Sequence, residues 1–155
     1  MQKITPFLWF DDDLEEALTL YRSVFPDTEV LDESRAGNSP DAPLFMARFR
    51  ILGQELIAIN GGPLFPFTEA FSLFVDCADQ AEVDRLWDAL TDGGEPGRCG
   101  WLKDRFGLSW QIVPRRLMEL MGDPDPAKAS RVRNAMLAMG RIDVAGLEAA
   151  WAAEG

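Results

Sequence analysis

The sequence predicts an α+β protein that consists of two similar modules of strands and helices followed by a C-terminal helical tail. Three observations lead to this fold class. Strand-like segments alternate with two amphipathic helical stripes through residues 3–113, and the same order of elements occurs twice. After Pro114 the strand patterns end, and only helical patterns follow. A chain of 155 residues with 47% hydrophobic content is long enough to bury the core of such a fold.

The first module begins with residues 3–10, a strand-like segment in which Pro6 favours an edge or an interrupted ladder. Three aspartates at residues 11–13 favour a helix start, because negative charge is stabilised at a helix N-terminus. Four apolar residues of this helix recur at helical spacing: Leu14, Ala17, Leu18 and Tyr21. Pro26 ends the helix, and three strands follow it. These strands are predicted over residues 28–34, 44–52 and 53–59.

The second module repeats this order. A strand is predicted over residues 70–76, and a helix begins at Asp79 and ends before Gly93. The helical stripe consists of Val83, Leu86, Trp87 and Leu90. A closing hairpin over residues 98–104 and 108–113 turns at Gly107. Either this module is one strand shorter than the first, or the missing strand lies in the glycine-rich residues 95–100.

The tail is predicted to contain helices over residues 115–121, 127–139 and 144–153, with Asp125 and Asp143 as caps of the last two. An apolar stripe of Val132, Met136 and Met139 needs a surface to pack against. We therefore expect a paired-module domain over residues 1–114, with modules at about 1–62 and 68–114. We expect the tail, residues 115–155, to pack on this core or on a dimer partner.

Composition excludes several classes of function. The net charge of −11 argues against binding to nucleic acid, which requires clustered cations to displace counterions. The short apolar run at the start is too brief for a signal peptide, and no stretch approaches a membrane span, so we expect no membrane partner and a cytoplasmic location. Cys77 and Cys99 are too few for a disulfide framework or a zinc site, and we expect both to be reduced thiols.

The chain contains no histidine. Catalytic arrangements that depend on imidazole are therefore excluded, including Ser-His-Asp and Cys-His sites, the HExxH zinc motif and the two-histidine iron triad. Much of the usual hydrolase and oxygenase chemistry is ruled out by this single feature.

Four segments run through most of the chain and form a distinctive combination: ITPFLWFDDDLEEALTLYRSVFP, GQELIAINGGP, CGWLKDRFGLSWQIVP and DPDPAKASRVRNAML. Together they resemble the vicinal oxygen chelate superfamily of glyoxalases, bleomycin-resistance proteins and dioxygenases. They are most similar to its PhnB-like branch, which is often labelled 3-demethylubiquinone-9 3-methyltransferase. The resemblance implies paired βαβββ modules of the glyoxalase/bleomycin resistance type, each curling into a cup, and it implies a homodimer.

Enzymes of that superfamily usually hold a divalent metal in the cup with His and Glu side chains. By this resemblance, the glutamate position of the last strand falls on Gln111 in the second module and on Ile57 in the first. The histidine positions fall near Pro6 and Ala70. One neutral amide cannot compensate a hard cation for the loss of its hydration shell. We therefore expect no metal and no other cofactor.

The methyltransferase label implies a different site. An enzyme of the common S-adenosylmethionine type needs a glycine-rich turn after a strand and before a helix, with an acidic residue for the ribose. The glycine-rich residues 93–100 instead follow a helix and precede a strand. That order favours a backbone turn over a nucleotide loop, and the methyltransferase function is kept as an alternative.

A metal-free isomerase or lyase is a second alternative. Lys103 could act as a base if burial lowered its pKa, and Glu55 could act if burial raised its own. Cys99 could be a nucleophile or a buried structural thiol. In a regular pleat Cys99, Trp101 and Lys103 share one face of their strand. No residue is assigned a catalytic role.

A binding module is the function we favour. A cup with aromatic and amide side chains holds a small, partly apolar molecule by burial and a few hydrogen bonds. Gln111, Trp101 and Trp9 are the preferred lining residues, and Phe65 and Phe67 are candidates to cover the opening. The full set of candidate ligand-binding residues is Gln111, Trp101, Trp9, Lys103, Glu55 and Cys99. A further possibility is that the helical tail chiefly serves to clasp a second subunit.

Overall fold

The computed structural model describes residues 2–37 and 39–154. The chain divides into two compact units, Met1–Phe67 and Thr68–Gly155. Each unit contains one four-stranded sheet, and the second unit also contains the C-terminal helices. The predicted α+β class and the repetition of one module are therefore confirmed. Within the described ranges, no helix combines the length and the apolar character that crossing a membrane would require.

The first unit folds in the order strand, helix and three strands. Its elements are β1 (Phe7–Phe10), α1 (Leu14–Val24), β2 (Glu29–Arg35), β3 (Leu44–Ile51) and β4 (Gln54–Asn60). The strands lie in the order β1-β4-β3-β2. Strands β1 and β4 are parallel, with Phe7 opposite Ile57, and the other two pairs are antiparallel.

The core of the first unit lies between α1 and one face of the sheet. The predicted helical stripe is buried: Leu14, Ala17, Leu18 and Tyr21. The strand residues on the same side are also buried, and they include Leu8, Phe10, Ala47, Phe49, Leu56 and Ala58. Each fully buried large apolar side chain stabilises the fold by roughly 1.5–3 kcal/mol. The opposite face carries Phe7, Trp9 and Ile57 and is not covered by α1.

The start of α1 is held by a residue that the local sequence does not indicate. Asp13 occupies the cap position but makes no side-chain capping hydrogen bond. The Leu14 N–H instead donates to the Asn60 side-chain oxygen at 2.9 Å, and the Asn60 amide donates to the Leu44 carbonyl at 2.9 Å. The end of β4 therefore supplies the cap, while the aspartates contribute favourable charge at the helix N-terminus.

The second unit repeats the topology of the first. Its first elements are β5 (Ser72–Cys77), α2 (Gln80–Thr91), β6 (Glu95–Pro96), β7 (Trp101–Lys103) and β8 (Ser109–Pro114). The strand order is β5-β8-β7-β6, and β5 and β8 are parallel. The Asp79 carboxylate caps α2 by accepting from the Glu82 N–H at 2.9 Å. Helix α2 buries its predicted stripe of Val83, Leu86, Trp87 and Leu90.

Several strand boundaries differ from the sequence-based expectation, and the strand that could not be placed is found. Strand β1 begins only at Phe7, because Pro6 has no N–H for a ladder and uses its carbonyl, which accepts from Ile57 at 3.0 Å. Strand β5 begins at Ser72, so Ala70 precedes it. The missing strand of the second module is β6, two residues long, within residues 95–100.

The C-terminal region forms three helices, α3 (Arg115–Met121), α4 (Pro126–Leu137) and α5 (Val144–Ala152). A cluster of buried apolar side chains holds them together: Val113, Leu117, Leu120, Val132, Ile142 and Leu147. Gln80 of α2 fixes the segment before α5, since its amide donates to the Ile142 carbonyl at 3.0 Å and accepts from the Val144 N–H at 2.7 Å. The helices thus share a core with the end of β8.

Candidate ligand-binding cleft

The candidate site lies on the face of the second sheet that α2 does not cover, called the open face below. Residues directly opposite each other on paired strands share a face. The register therefore places two rows of side chains on this face. The first row is Ser72, Ser109, Lys103 and Glu95, and the second is Phe74, Gln111 and Trp101. The sequence-predicted residues Gln111, Trp101 and Lys103 are brought together.

A cleft of about 410 Å³ lies at this face. Its lining comes from β6, β7, the loop between them, the start of β8 and the segment before β5. The lining residues are Glu69, Glu95, Pro96, Gly97, Arg98, Trp101, Leu102, Lys103 and Ser109. The volume is within the range of pockets that hold small organic molecules.

Ser109 is the unusual polar residue of the cleft. It is 1% exposed, and its hydroxyl is the buried side-chain polar group that has no hydrogen-bond partner among the described residues. Leaving a buried hydroxyl unpaired costs about 1–3 kcal/mol, and native proteins rarely do so. A hydroxyl of this kind in the lining of a cleft is a position where a ligand atom would be stabilised.

Lys103 does not have the properties of a general base. Its ammonium forms an ion pair and hydrogen bond with Glu69, which raises the pKa of Lys103 above its ordinary value and lowers that of Glu69. Glu95, opposite Lys103 in the ladder, also favours the charged form. The condition on which Lys103 could act as a base, a pKa lowered by burial, is therefore not met, because the side chain is partly exposed and lies beside carboxylates.

Gln111 lies next to the cleft on the open face. It is half-buried, between Trp101 on β7 and Phe74 on β5. Its amide N–H donates to the Ser72 hydroxyl at 3.0 Å. The expectation that a glutamine within an apolar strand needs a partner is therefore met by a neighbouring side chain.

Cys99 lies outside the strand on which it was expected. It has φ 58° and is followed by Gly100 with φ 83°, so β7 begins at Trp101. The Cys99 N–H donates to the Met139 carbonyl at 2.8 Å, and the Gly100 N–H to the Gly140 carbonyl at 2.9 Å. The prediction that Cys99 shares a strand face with Trp101 is wrong because left-handed backbone interrupts the strand. The side chain is half-buried and is not among the cleft residues.

Trp9 and its aromatic neighbours belong to the first unit. The Trp9 indole N–H donates to the Gly62 carbonyl at 2.9 Å. The ring of Phe65 meets Trp9 edge-on, with centroids 5.1 Å apart, and Phe67 packs on Phe10 in the same way at 5.0 Å. These contacts hold residues 61–67 against β1, and edge-on aromatic pairs of this kind are favourable.

Glu55 also belongs to the first unit and is matched by two cations on β3. Its carboxylate lies 3.0 Å from Arg50 and 3.6 Å from Arg48. The Glu55 side chain is 22% exposed, so this pair of contacts is partly shielded from water. The role of Glu55 that is visible in the structure is therefore ion pairing across the first sheet.

The chemistry of these faces does not fit the divalent metal of the superfamily. The neighbour of Ile57 in the first sheet is Phe7, and the neighbour of Gln111 in the second is Phe74. Three of these four side chains are apolar, whereas a hard cation needs charged oxygen ligands. Over residues 2–37 and 39–154, no three His, Cys, Asp or Glu side chains are grouped so that they could bind a metal ion.

The glycine-rich segment likewise serves the sheet. A Cβ on Gly94 would collide with the Lys103 carbonyl, and one on Gly97 would lie 2.7 Å from the Trp101 carbonyl oxygen. These glycines follow α2 and allow β6 to approach β7 closely. They do not form the strand-to-helix loop that a nucleotide cofactor requires.

Sequence reasoning missed three features of the cleft. Glu69 precedes β5, and only the fold brings it to Lys103. Ser109 lies two residues before Gln111, so its position on the same strand face could be anticipated, but its missing partner could not. Arg98 was not among the sequence-predicted site residues, and the structure places it in the lining.

Comparison with protein families gives one match, which covers most of the chain. The family 3-demethylubiquinone-9 3-methyltransferase matches residues 2–113. The match ends before α3, so the three C-terminal helices lie outside it. None of the curated proteins matches the chain.

Several solved structures are similar to this chain. The PhnB protein of Bacillus cereus is 34% identical, with a TM-score of 0.65, over 73% of this chain and 99% of that one. The protein PA1353 of Pseudomonas aeruginosa is 24% identical, with a TM-score of 0.62, over 74% and 98%. The fosfomycin resistance protein FosX of Listeria monocytogenes, complexed with Mn(II) and sulfate, is 15% identical, with a TM-score of 0.50, over 71% and 90%. The last two likenesses concern the fold alone, and the predicted glyoxalase/bleomycin resistance type is confirmed.

Proposed function

Since this chain belongs to the 3-demethylubiquinone-9 3-methyltransferase family, the PhnB-like branch of the glyoxalase/bleomycin resistance fold, we propose that it binds a small, partly apolar molecule in the cleft of its second unit. The ligand needs no metal for this. The observation that carries the proposal is the buried Ser109 hydroxyl, which has no partner within the described residues and lines a cleft of about 410 Å³. Its unmet hydrogen bond favours a ligand with a polar atom.

The rest of the lining supports a ligand with an apolar body. Trp101 forms the apolar wall on the open face, and Pro96 and Leu102, which lie opposite each other on the other side of the ladder, also contribute to the lining. Burial of apolar surface against such a wall contributes about 25 cal/mol per Å² before the entropy of binding is subtracted. Gln111, beside Trp101 on the same face, supplies a further amide. The bound molecule is thus held by contact with Trp101 and oriented by hydrogen bonds.

Binding is favoured over proton transfer by the state of Lys103. Its ammonium is kept charged by Glu69, so it orients a ligand or neutralises a carboxylate but does not accept a proton near neutral pH. The methyltransferase alternative has no cradle for S-adenosylmethionine in the glycine-rich segment. A binding role uses every polar feature of the cleft without a cofactor.

A ligand-observed NMR screen tests this proposal. A set of small aromatic and aliphatic compounds is screened by saturation transfer against the full chain, the Trp101→Ala variant and the Phe45→Ala variant. Phe45 is an exposed aromatic of the first unit, 49% accessible, and serves as the matched control. We expect saturation transfer to compounds that Trp101→Ala no longer binds and Phe45→Ala still binds. Compounds that bind both variants equally, or no bound compound at all, would contradict the cleft as the site.

The remaining expectations concern assembly, location and the first unit. We infer that the protein is a homodimer in the cytoplasm, as the resemblance implies, and that Trp9 and Glu55 also contribute to ligand binding. Light scattering coupled to size-exclusion chromatography measures the mass in solution, and a monomer at micromolar concentration would contradict the first of these inferences. Trp9→Ala and Glu55→Gln in the same NMR screen would reveal any contribution of the first unit.

A further inference from the structure

Four charged side chains line the cleft, and they are not equivalent. Lys103 forms an ion pair with Glu69 and lies opposite Glu95 in the ladder. The ammonium is thus paired with Glu69, while Glu95 lies near it without a direct ion pair among the described residues. Arg98 is exposed, and no carboxylate among the described residues lies within ion-pair distance of its guanidinium. The cleft therefore contains a cation whose charge is not balanced by a direct ion pair.

The backbone that presents Arg98 is fixed on both sides. The Trp101 N–H donates to the Arg98 carbonyl at 3.0 Å across Cys99 and Gly100, which both have positive φ, as in a type I′ turn. The outward N–H groups of these two central residues donate to carbonyls of the segment after α4. Arg98 therefore extends from an ordered turn, so little backbone entropy is lost when its side chain binds a partner.

Apolar residues lie close to Arg98 in the lining of the cleft. Gly97 donates its N–H to the Trp101 carbonyl at 2.9 Å, and the lack of a side chain keeps this approach close. Trp101 is the aromatic residue of the lining on the open face, whereas Pro96 lies opposite Leu102 and so belongs to the other side of the ladder. The flat face of an indole ring suits a planar body.

We propose that the cleft selects a small planar anion, a carboxylate group on an aromatic or other flat apolar body, with the carboxylate on Arg98 and the body against Trp101. This inference rests on the proposed function and names its ligand class. A guanidinium is suited to the task because its planar donors match a carboxylate bidentately. The carboxylates of Glu69 and Glu95 at the same cleft disfavour a second negative charge on the ligand.

The experiment compares two probes of nearly the same shape, benzoate and its neutral analogue benzamide. Dissociation constants are measured by NMR titration of the full chain at low salt. The variants are Arg98→Gln and the matched control Arg105→Gln, which removes a partly exposed arginine of the same hairpin that pairs with Asp92 outside the cleft. Backbone spectra establish that both variants are folded.

We expect Arg98→Gln to weaken benzoate binding roughly three- to tenfold, as is typical of a partly solvated charge pair, and to leave benzamide unchanged. Arg105→Gln should change the binding of neither probe, and added salt should weaken the binding of benzoate only. If benzoate and benzamide bind equally well, and Trp101→Ala abolishes the binding of both, the anion inference is overturned and the binding proposal stands. A lack of benzoate binding also overturns the inference, and failure of the whole compound set would overturn both.

Discussion

The two units share a topology but differ in the chemistry of their open faces. In both, a helix follows the first strand, and the first strand is an edge strand that pairs in parallel with the last strand of the unit. In the first unit the other two strands have seven and eight residues, whereas in the second they have two and three. The short strands β6 and β7 leave room for the loop that lines the cleft.

This difference shows how a repeated module can keep its core and change its surface. The first face carries a self-contained ion-pair group, in which Glu55 is matched by Arg48 and Arg50. The second carries Ser109, which has no partner among the described residues, and a cation without a direct ion pair, Arg98. Charges and hydroxyls that the protein satisfies itself favour stability, and those left unsatisfied favour ligand binding.

The largest effect is expected from the turn that precedes β8. The Asp104 carboxylate is 2% exposed and accepts from Phe106 N–H at 2.9 Å, Leu108 N–H at 3.1 Å and the Trp110 indole at 2.9 Å. Asp104→Ala leaves these donors unpaired, so we expect a loss of about 3 kcal/mol in the free energy of unfolding. Urea denaturation measures it.

The control for Asp104 is Asp92→Ala. Asp92 is 81% exposed and only 3.6 Å from Arg105, so its loss should change the unfolding free energy by at most about 0.5 kcal/mol. Similar effects of the two substitutions would show that the buried carboxylate does not organise the β7–β8 turn. The corresponding β3–β4 turn has no such side chain and depends on Leu52 and Gly53, which both have positive φ.

A matched pair of glycines in the two units gives the next effect. Gly53 and Gly100 have φ values of 84° and 83°. At Gly53 an added Cβ meets no atom within 4 Å, whereas at Gly100 it lies 2.9 Å from the Ile112 carbonyl oxygen. Gly53→Ala should cost about 1 kcal/mol for the left-handed backbone alone, and Gly100→Ala about 2 kcal/mol. Equal costs in thermal or urea unfolding would mean that Gly100 is needed only for its φ.

The buried thiol of Cys77 makes the stability of the second unit depend on alkaline pH. Burial raises the pKa of the Cys77 thiol from 9.0 to about 12, with Glu82 as a smaller cause. Above pH 9 the unfolded chain loses this proton while the folded chain keeps it, and stability therefore falls as pH rises towards 12. Between pH 9 and pH 10 the loss should be about 1 kcal/mol, which Cys77→Ala should remove.

The two thiols give a simple chemical check. Cys77 is 0% exposed and Cys99 is half-buried. A thiol reagent should therefore label Cys99 quickly in the folded protein and Cys77 only after unfolding. Mass analysis of the labelled peptides identifies each site. Rapid labelling of Cys77 in the native protein would contradict its burial, and an unchanged alkaline response in Cys77→Ala would contradict the pH assignment.

The smallest effect is expected at the β3–β4 turn. Leu52 has φ 47° and is 58% exposed, so its side chain gains little from burial and its backbone is strained. Asparagine tolerates this conformation, and Leu52→Asn should raise the free energy of unfolding by about 0.5 kcal/mol. Leu64→Asn, at another exposed leucine, should give no gain, and an equal gain at both positions would indicate a general effect of removing surface leucine.

The sequence allowed the architecture to be predicted because the helical stripes and strand patterns are local. The stripes of α1 and α2 are buried where the spacing predicts, and Gln111 lies on the same face as Ser109. The order of elements could therefore be read without a structure. The resemblance to the PhnB-like branch, carried by four segments, also agrees with the match over residues 2–113.

The site was predicted less fully because its chemistry depends on contacts between distant residues. Lys103 was a candidate base until Glu69 was found beside it, some thirty residues earlier in the chain. Cys99 was expected on a strand because a regular pleat was assumed through residues 98–104, whereas its φ is positive and its N–H donates to the Met139 carbonyl of the tail. Neither contact leaves a pattern in the neighbouring sequence.

Chemical-shift mapping with benzoate tests the central claim most directly, namely that the open face of the second unit binds a small molecule. In a spectrum of the isotope-labelled full chain, the indole N–H of each of the five tryptophans gives its own signal. We expect the Trp101 indole signal and the backbone N–H signals of Glu95, Gly97, Arg98 and Ser109 to shift, and all these shifts to give the same dissociation constant. The indole of Trp151, which donates to Asp123 in the tail, should stay in place. A Trp101 signal that does not move at saturating benzoate, while other regions of the protein respond, would contradict the account.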